Sequence, residues 1–384
     1  MKKIKLINGI NSLKTDFFQL AQREIDFYNV SPKVGTLYLT YRCNSRCQTC
    51  SIWKRPQEEE KKKEIGLKEW KNIIDKLVHA GVRNFEIFGG NVLLRKELLI
   101  SLLQYIKKQD CIIHLPTNQI GLDDELIAAM VENLDYIYVS TDGIGEKQDE
   151  IRGGEGSSIR LEGAIARMLA FKKGKRYPRL ICNTTVSRFN FDILDQIVEY
   201  AIQMKFDEIH FEYAGEFSPE SIDRSLIDGL KPAPFYIKSG ESILVDGQGA
   251  QVVKQKIREI KQKYKNCRDI DIVTINIDGR SMESLYTGLI PHDKCYCERI
   301  ETTVDPYGNL VACPFINNYV YGNLSNNSFD AVWNNKKHKI FRRHQNNGQI
   351  DMCKNCILGV QRNPGILKSM ERIYHYRIAP KITT

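Results

Sequence analysis

Three of the eleven cysteines, Cys43, Cys47 and Cys50, fall within eight residues. In a reducing compartment thiols stay out of disulfides, so such spacing reads first as metal or redox chemistry. A loop this short can turn three thiolates toward one centre, and three is the informative number. A four-iron cluster held by three cysteines keeps one iron open for a small chelating ligand, whereas a structural zinc site calls for a fourth protein ligand. Five more cysteines fall in the last quarter: Cys295, Cys297, Cys313, Cys353 and Cys356. Between Cys295 and Cys313 the run 304–310 (VDPYGNL) reads as a hairpin that brings separated thiols together, and Cys353-x2-Cys356 adds a close pair. Four such cysteines would ligate one centre completely, and structural zinc is the alternative there. Cys111 and Cys182 sit in apolar strand-like runs and read as buried small hydrophobes. Cys267 reads as an incidental thiol, and the seven histidines show no metal-ligand spacing.

The elements that must position these thiols alternate in type. Strand-like runs occur near 36–41, 83–88, 111–115, 136–140, 180–186 and 207–213. Amphipathic helical patterns lie between them at 67–80, 95–108, 123–133, 157–173 and 191–204, with Asp123 and Asn190 as expected caps for the third and fifth. Six βα-type units in series predict a parallel sheet, either an open doubly wound one or a closed or partial barrel. The first cysteine loop follows the first strand. The polar motifs Gly89-Gly90-Asn91, Thr117-Asn118, Ser140-Thr141-Asp142-Gly143 and Asn183/Thr185 all fall at or just past the C-terminal ends of strands, where barrels and open sheets place their sites.

The 384 residues suffice for two or three domains, and 42% hydrophobic with 27% charged residues is an ordinary globular composition. No run approaches the roughly 18–20 apolar residues of a membrane span, and the N-terminus lacks a secretory pattern, so the expected location is the cytosol. The net charge of +9 is spread along the chain and implies no nucleic acid. The acidic and basic run 58–63 reads as a solvated loop.

In its Cys43-x3-Cys47-x2-Cys50 motif the sequence resembles the radical S-adenosylmethionine (SAM) enzymes. The resemblance implies a partial (β/α)6 barrel, a four-iron cluster in the loop after the first strand, and SAM chelated to its open iron. It implies that the Gly89-Gly90 backbone meets the SAM amino group, that Ser140 contacts the ribose or carboxylate, and that Asn183 and Thr185 match the polar position on the fifth strand. Asn91 stands where the family usually has glutamate. Thr49 stands where it commonly has an aromatic, and Trp53 is expected to supply the apolar cover. Arg152 is a candidate partner for a carboxylate. The second cysteine set resembles the twitch domain, a shortened SPASM domain with one auxiliary four-iron cluster. The ligands implied are Cys295, Cys313, Cys353 and Cys356, with Cys297 the alternative to Cys295, and two clusters in all.

The expected organisation is an N-terminal extension (1–34), the barrel core (35–213), a connecting, substrate-facing segment (214–290), the auxiliary domain (291–360) and a C-terminal helix and tail (361–384). A fully ligated auxiliary cluster has no open iron and suits electron transfer. Net oxidation also needs a base, and His210, Glu212, Tyr213 and Glu216 around the end of the sixth strand are the candidates. The expected reaction is oxidation or epimerisation of a small molecule such as a sugar or aminocyclitol. About 35 residues precede the first strand, too few for the winged peptide-recognition domain that peptide maturases often carry. Modification of a ribosomally made peptide is the alternative, and a non-catalytic iron–sulfur or zinc scaffold is a third reading. The expected reductant is a flavodoxin or ferredoxin.

Overall fold

The structure is a computed structural model and describes residues 31–238, 240–290, 295 and 297–358. The expected N-terminal extension up to residue 30 and the C-terminal helix beyond 360 lie outside these residues.

Ten strands form one sheet among the described residues, in the order β10-β9-β8-β1-β2-β3-β4-β5-β6-β7. Seven of the parallel strands are β1 (Val34–Thr40), β2 (Asn84–Gly89), β3 (Ile112–Thr117), β4 (Tyr136–Ser140), β5 (Arg179–Val186), β6 (Glu208–Tyr213) and β7 (Asp271–Ile275). Their order is sequential, and right-handed crossovers then place every connecting helix on the same face. A doubly wound sheet, which reverses direction at a switch point, is excluded; the arrangement is the partial barrel. Six strands and the helices Leu67–His79, Lys96–Lys107, Asp124–Asn133, Ser157–Lys172 and Leu194–Gln203 lie within three residues of their expected bounds. Asp123 caps its helix by accepting from the Leu126 N–H at 2.9 Å. Asn190 does not cap: it is buried, accepts from Ser187 N at 2.9 Å and donates to the Asp142 carbonyl.

The alternation of each strand sorts its side chains. Leu37, Leu39, Phe85, Ile87, Ile113, Ile137, Cys182, Ile209 and Phe211 pack with the helices into one core. Cys111 and Cys182 are buried as expected. The opposite, concave face carries polar and aromatic residues.

Segment 214–290 contributes more than a connection. It supplies the helix Gly247–Lys263, capped by Asp246 accepting from Gly249 N at 2.7 Å. It also supplies β7, parallel to β6. The auxiliary region adds β8 (Glu301–Val304), parallel to β1, and the antiparallel β9 (Asn309–Cys313) and β10 (Ile316–Asn323). The β8–β9 hairpin is the expected one, its turn built by Asp305 accepting from Tyr307 N and Asn309 N at 2.9 and 2.8 Å. The run 58–63 is helical (Gln57–Lys63), and Glu60 is buried against Arg55 and the Tyr307 hydroxyl.

Candidate cluster and substrate site

The loop after β1 is held by its neighbours before any cofactor is considered. Glu64 accepts from Thr40 and Arg42 and pairs with Arg95, which reaches the Leu39 carbonyl at 2.7 Å. The Gly90 N–H donates to Thr40 O at 2.9 Å and the Asn91 N–H to Arg42 O at 2.8 Å. A Cβ on Gly90 would stand 2.2 Å from the Arg42 carbonyl oxygen, so this contact admits only glycine. These N–H groups are used by the loop, and what the glycine pair can offer an ammonium is carbonyl oxygen. Asn91 is buried, donating to Asn44 Oδ1 at 2.8 Å and Ile120 O at 3.0 Å, and Asn118 donates to Ser45 Oγ at 2.9 Å. Both asparagines therefore brace the cysteine loop. Thr117 is buried at the end of β3, its hydroxyl accepting from Gln119 N at 3.2 Å.

The other side of the loop rests on the helix Glu146–Arg152. Gln48 N donates to Ile151 O at 3.0 Å, and a Cβ on Gly153 would meet Arg46 O at 2.2 Å. Arg152 pairs with buried Asp142 at 2.9 Å, and Asp142 also accepts from Thr185 N at 2.8 Å. Burial alone would lower the Arg152 pKa, but the charges of Cys47, Asp142 and Cys50 outweigh it and raise it. Asp142 escaped the sequence reading although it lies in the quoted Ser140–Gly143 motif. Gln148 holds that turn, accepting from Asp142 N and Gly143 N and donating to Ser140 O. A cleft of about 260 Å³ lined by Asn44, Ser45, Arg152, Gly153 and Arg160 opens beside the loop.

Cys43 and Cys50 pack against Tyr38, Tyr41, Ile52 and Phe235, with Tyr236 beside them. The apolar cover thus comes from Phe235 and Tyr236 rather than Trp53, and the Ser51 N–H ties the loop to Phe235 O at 3.0 Å. No local signal marks residues so distant in sequence. Burial pushes the Cys50 thiol up to about 12, and Cys47 and Cys43 push it further in the same direction. Crowded thiols that raise one another suit a cationic iron centre, which offsets their mutual repulsion once they ionise.

In the auxiliary region Cys295, Cys297, Cys313, Cys353 and Cys356 all line one small cavity with Phe341. Burial raises the Cys353 thiol well above its ordinary value, as do the adjacent Cys356, Cys295 and Cys313. Cys297 Sγ instead meets Glu301 Oε2 at 3.5 Å.

Across the concave face Ser140, Asn183 and His210 stand in register on β4, β5 and β6, with Thr185 opposite Glu212 one step further along. The four base candidates separate. His210 and Glu212 lie on the concave side. Tyr213 points the other way into the core, where its hydroxyl donates to Leu285 O at 3.0 Å and accepts from Val245 N at 3.1 Å, so it is no base for this chamber. Glu216 is also corrected: it is buried, taking the Ser242 hydroxyl and Ile243 N in a loop-pinning role.

A family model described as the radical SAM superfamily matches residues 37–168, and one described as an iron–sulfur cluster-binding domain, SPASM, matches residues 295–357. The chain is similar to Fe-coproporphyrin III synthase of Methanosarcina barkeri (22% identity, 89% of this chain and 84% of that protein). It is similar to mycofactocin maturase MftC of Mycolicibacterium smegmatis (24%, 85% and 76%). Among solved structures it resembles Streptococcus suis SuiB bound to SAM (TM-score 0.62, 14% identity, 92% of this chain and 82% of that one). It likewise resembles anSMEcpe with bound AdoMet (TM-score 0.61, 14%, 92% and 98%). Among the described residues no helix is long and apolar enough to cross a membrane. The chain thus carries a radical SAM domain and a C-terminal SPASM iron–sulfur cluster-binding domain, and these bring SAM and two four-iron clusters as cofactors.

Proposed function

We propose that this chain is a maturase that abstracts hydrogen from a peptide. In this reading Cys43, Cys47 and Cys50 hold the SAM-binding cluster, and Cys295, Cys313, Cys353 and Cys356 hold the auxiliary one. The sequence reading preferred a small metabolite. The observation that carries the peptide reading is likeness over most of both chains to PqqA peptide cyclase of Bradyrhizobium diazoefficiens (22% identity, 85% of this chain and 78% of that protein). PqqA peptide cyclase of Rhodopseudomonas palustris, 27% identical over 46% of each chain, adds to it. The fold is compatible, because the sheet ends in separate edge strands, β7 and β10, leaving the concave face open between them.

When bound, SAM and its reduced cluster supply a 5′-deoxyadenosyl radical. The chain's residues do the rest. Phe235 and Tyr236 exclude water from the cluster thiols, and the Gly89 and Gly90 carbonyls receive an ammonium. Arg152, held by Asp142, faces a carboxylate, and Ser140, Asn183 and Thr185 present hydroxyl and amide groups to the cofactor. His210 and Glu212 line the substrate side. A low-potential flavodoxin or ferredoxin is the reductant in this scheme.

A second reading, a small-molecule substrate, is favoured by the likeness to Fe-coproporphyrin III synthase along 89% of the chain. The test is anaerobic 5′-deoxyadenosine formation by reconstituted, reduced protein given host extract split by a size filter. Stimulation by the peptide-sized fraction is expected. Stimulation by the small fraction alone overturns the peptide reading in favour of the metabolite, and no 5′-deoxyadenosine under any condition revives the scaffold.

A further inference from the structure

His210 and Glu208 share the concave face of β6, two residues apart. His210 Nε2 lies 2.8 Å from Glu208 Oε2. The other Glu208 oxygen meets Arg179 Nε at 2.8 Å, and Arg179 in turn reaches Asp271 at 2.8 Å and the Asp207 carbonyl at 3.1 Å. The Arg179 guanidinium paired with Glu208 favours its ionised carboxylate form. An ionised carboxylate only accepts, so Nε2 must carry the imidazole hydrogen. That leaves Nδ1 as a bare acceptor. It is buried, in a residue 6% exposed, and no hydrogen-bond donor reaches it. Buried polar atoms are rarely left without a hydrogen bond, so an unpartnered nitrogen on the concave face calls for an account.

We propose that His210 Nδ1 receives an O–H or N–H of the substrate and takes its proton, with Glu208 as the positioning residue that sets the tautomer. The inference rests on the radical SAM reading of the chamber and adds to it the class of group recognised: a hydroxyl, amine or amide hydrogen beside the C–H under attack. The height is right, since His210 is in register with Asn183, itself in register with Ser140. The charge count also fits. With neutral His210, the Glu208, Arg179 and Asp271 network carries one net negative charge, and Asp207 is separately neutralised by Lys172 at 2.7 Å. The substrate X–H bond breaks, the Nδ1–H bond forms, and the new imidazolium brings the network to zero. The remaining groups beside His210 are the Tyr138 ring, edge-on at 5.6 Å, the register partners Asn183 and Val273, and Glu212, two residues along the same face of β6. None of these is a fixed charge that would oppose the proton.

The test is long-range ¹H–¹⁵N correlation on [¹⁵N]histidine-labelled, cluster-loaded full chain at pH 7.5, with His210 assigned by the signal missing from His210→Gln. The expected pattern is the neutral Nε2–H tautomer, with that bias lost in Glu208→Gln. An Nδ1–H tautomer or an imidazolium at this pH overturns the proposal, because Nδ1 would then be a donor. Should His210→Gln fail to load clusters, assignment by His210→Asn replaces it. With the stimulating extract fraction, Glu208→Gln should lower turnover about tenfold and His210→Gln at least a hundredfold; unchanged rates overturn the proposal. The spectrum needs neither SAM nor substrate, so its outcome is separate from that of the maturase reading.

Discussion

Single side chains on one strand divide by direction. β6 sends Glu208, His210 and Glu212 to the chamber and Ile209, Phe211 and Tyr213 to the helix-side core. Composition cannot reveal this, because a tyrosine near a strand end reads equally well as base or ballast. Its surroundings decide: the Tyr213 hydroxyl bridges Val245 N and Leu285 O, far from any reacting group. Tyr213→Phe should therefore act on stability. Removing a hydroxyl that satisfies two buried backbone groups costs about 1–3 kcal/mol, visible as a lower midpoint in thermal denaturation, while SAM cleavage persists. Loss of SAM cleavage with an unchanged midpoint would return Tyr213 to the chemistry.

Among elements, the decisive junction is where β2 ends against the cysteine loop. The Gly-Gly pair was legible as a turn beside the cofactor. Its mechanical reason was not, since the close approach involves residues some fifty positions apart. A methyl at Gly90 would collide with backbone rather than a movable side chain. Gly90→Ala should displace the loop at a cost of about 1–3 kcal/mol. Iron should fall from roughly eight per chain toward roughly four, because the first cluster loses its cradle while the second keeps its own. Full iron loading in this variant would show that the loop tolerates the shift. Segment 214–290 teaches the same lesson at greater length. The sequence reads as a connecting, substrate-facing segment there, yet it supplies β7 and places Phe235 over the cluster thiols.

At the scale of the whole molecule, two cysteine sets far apart in sequence are joined by one sheet, because β8 pairs with β1 and carries the auxiliary domain onto the barrel edge. The fourth auxiliary ligand is a question at this scale, since spacing alone allowed two answers. Cys353 feels Cys295, Cys313 and Cys356, while Cys297 is turned to Glu301. Cys295→Ala should halve the iron, to roughly four per chain, and Cys297→Ala should leave roughly eight; the reverse result exchanges the two assignments. By itself the sequence determined the cluster chemistry, the strand and helix alternation and the polar strand ends, because ligand spacing, side-chain periodicity and turn composition are local. Only the tertiary structure decided which base candidates face the chamber, that Asp142 and Glu208 position their partners, and what covers the thiols. Each of those depends on contacts between distant segments and on the face to which a strand residue points, which the identity of a residue and its neighbours does not encode.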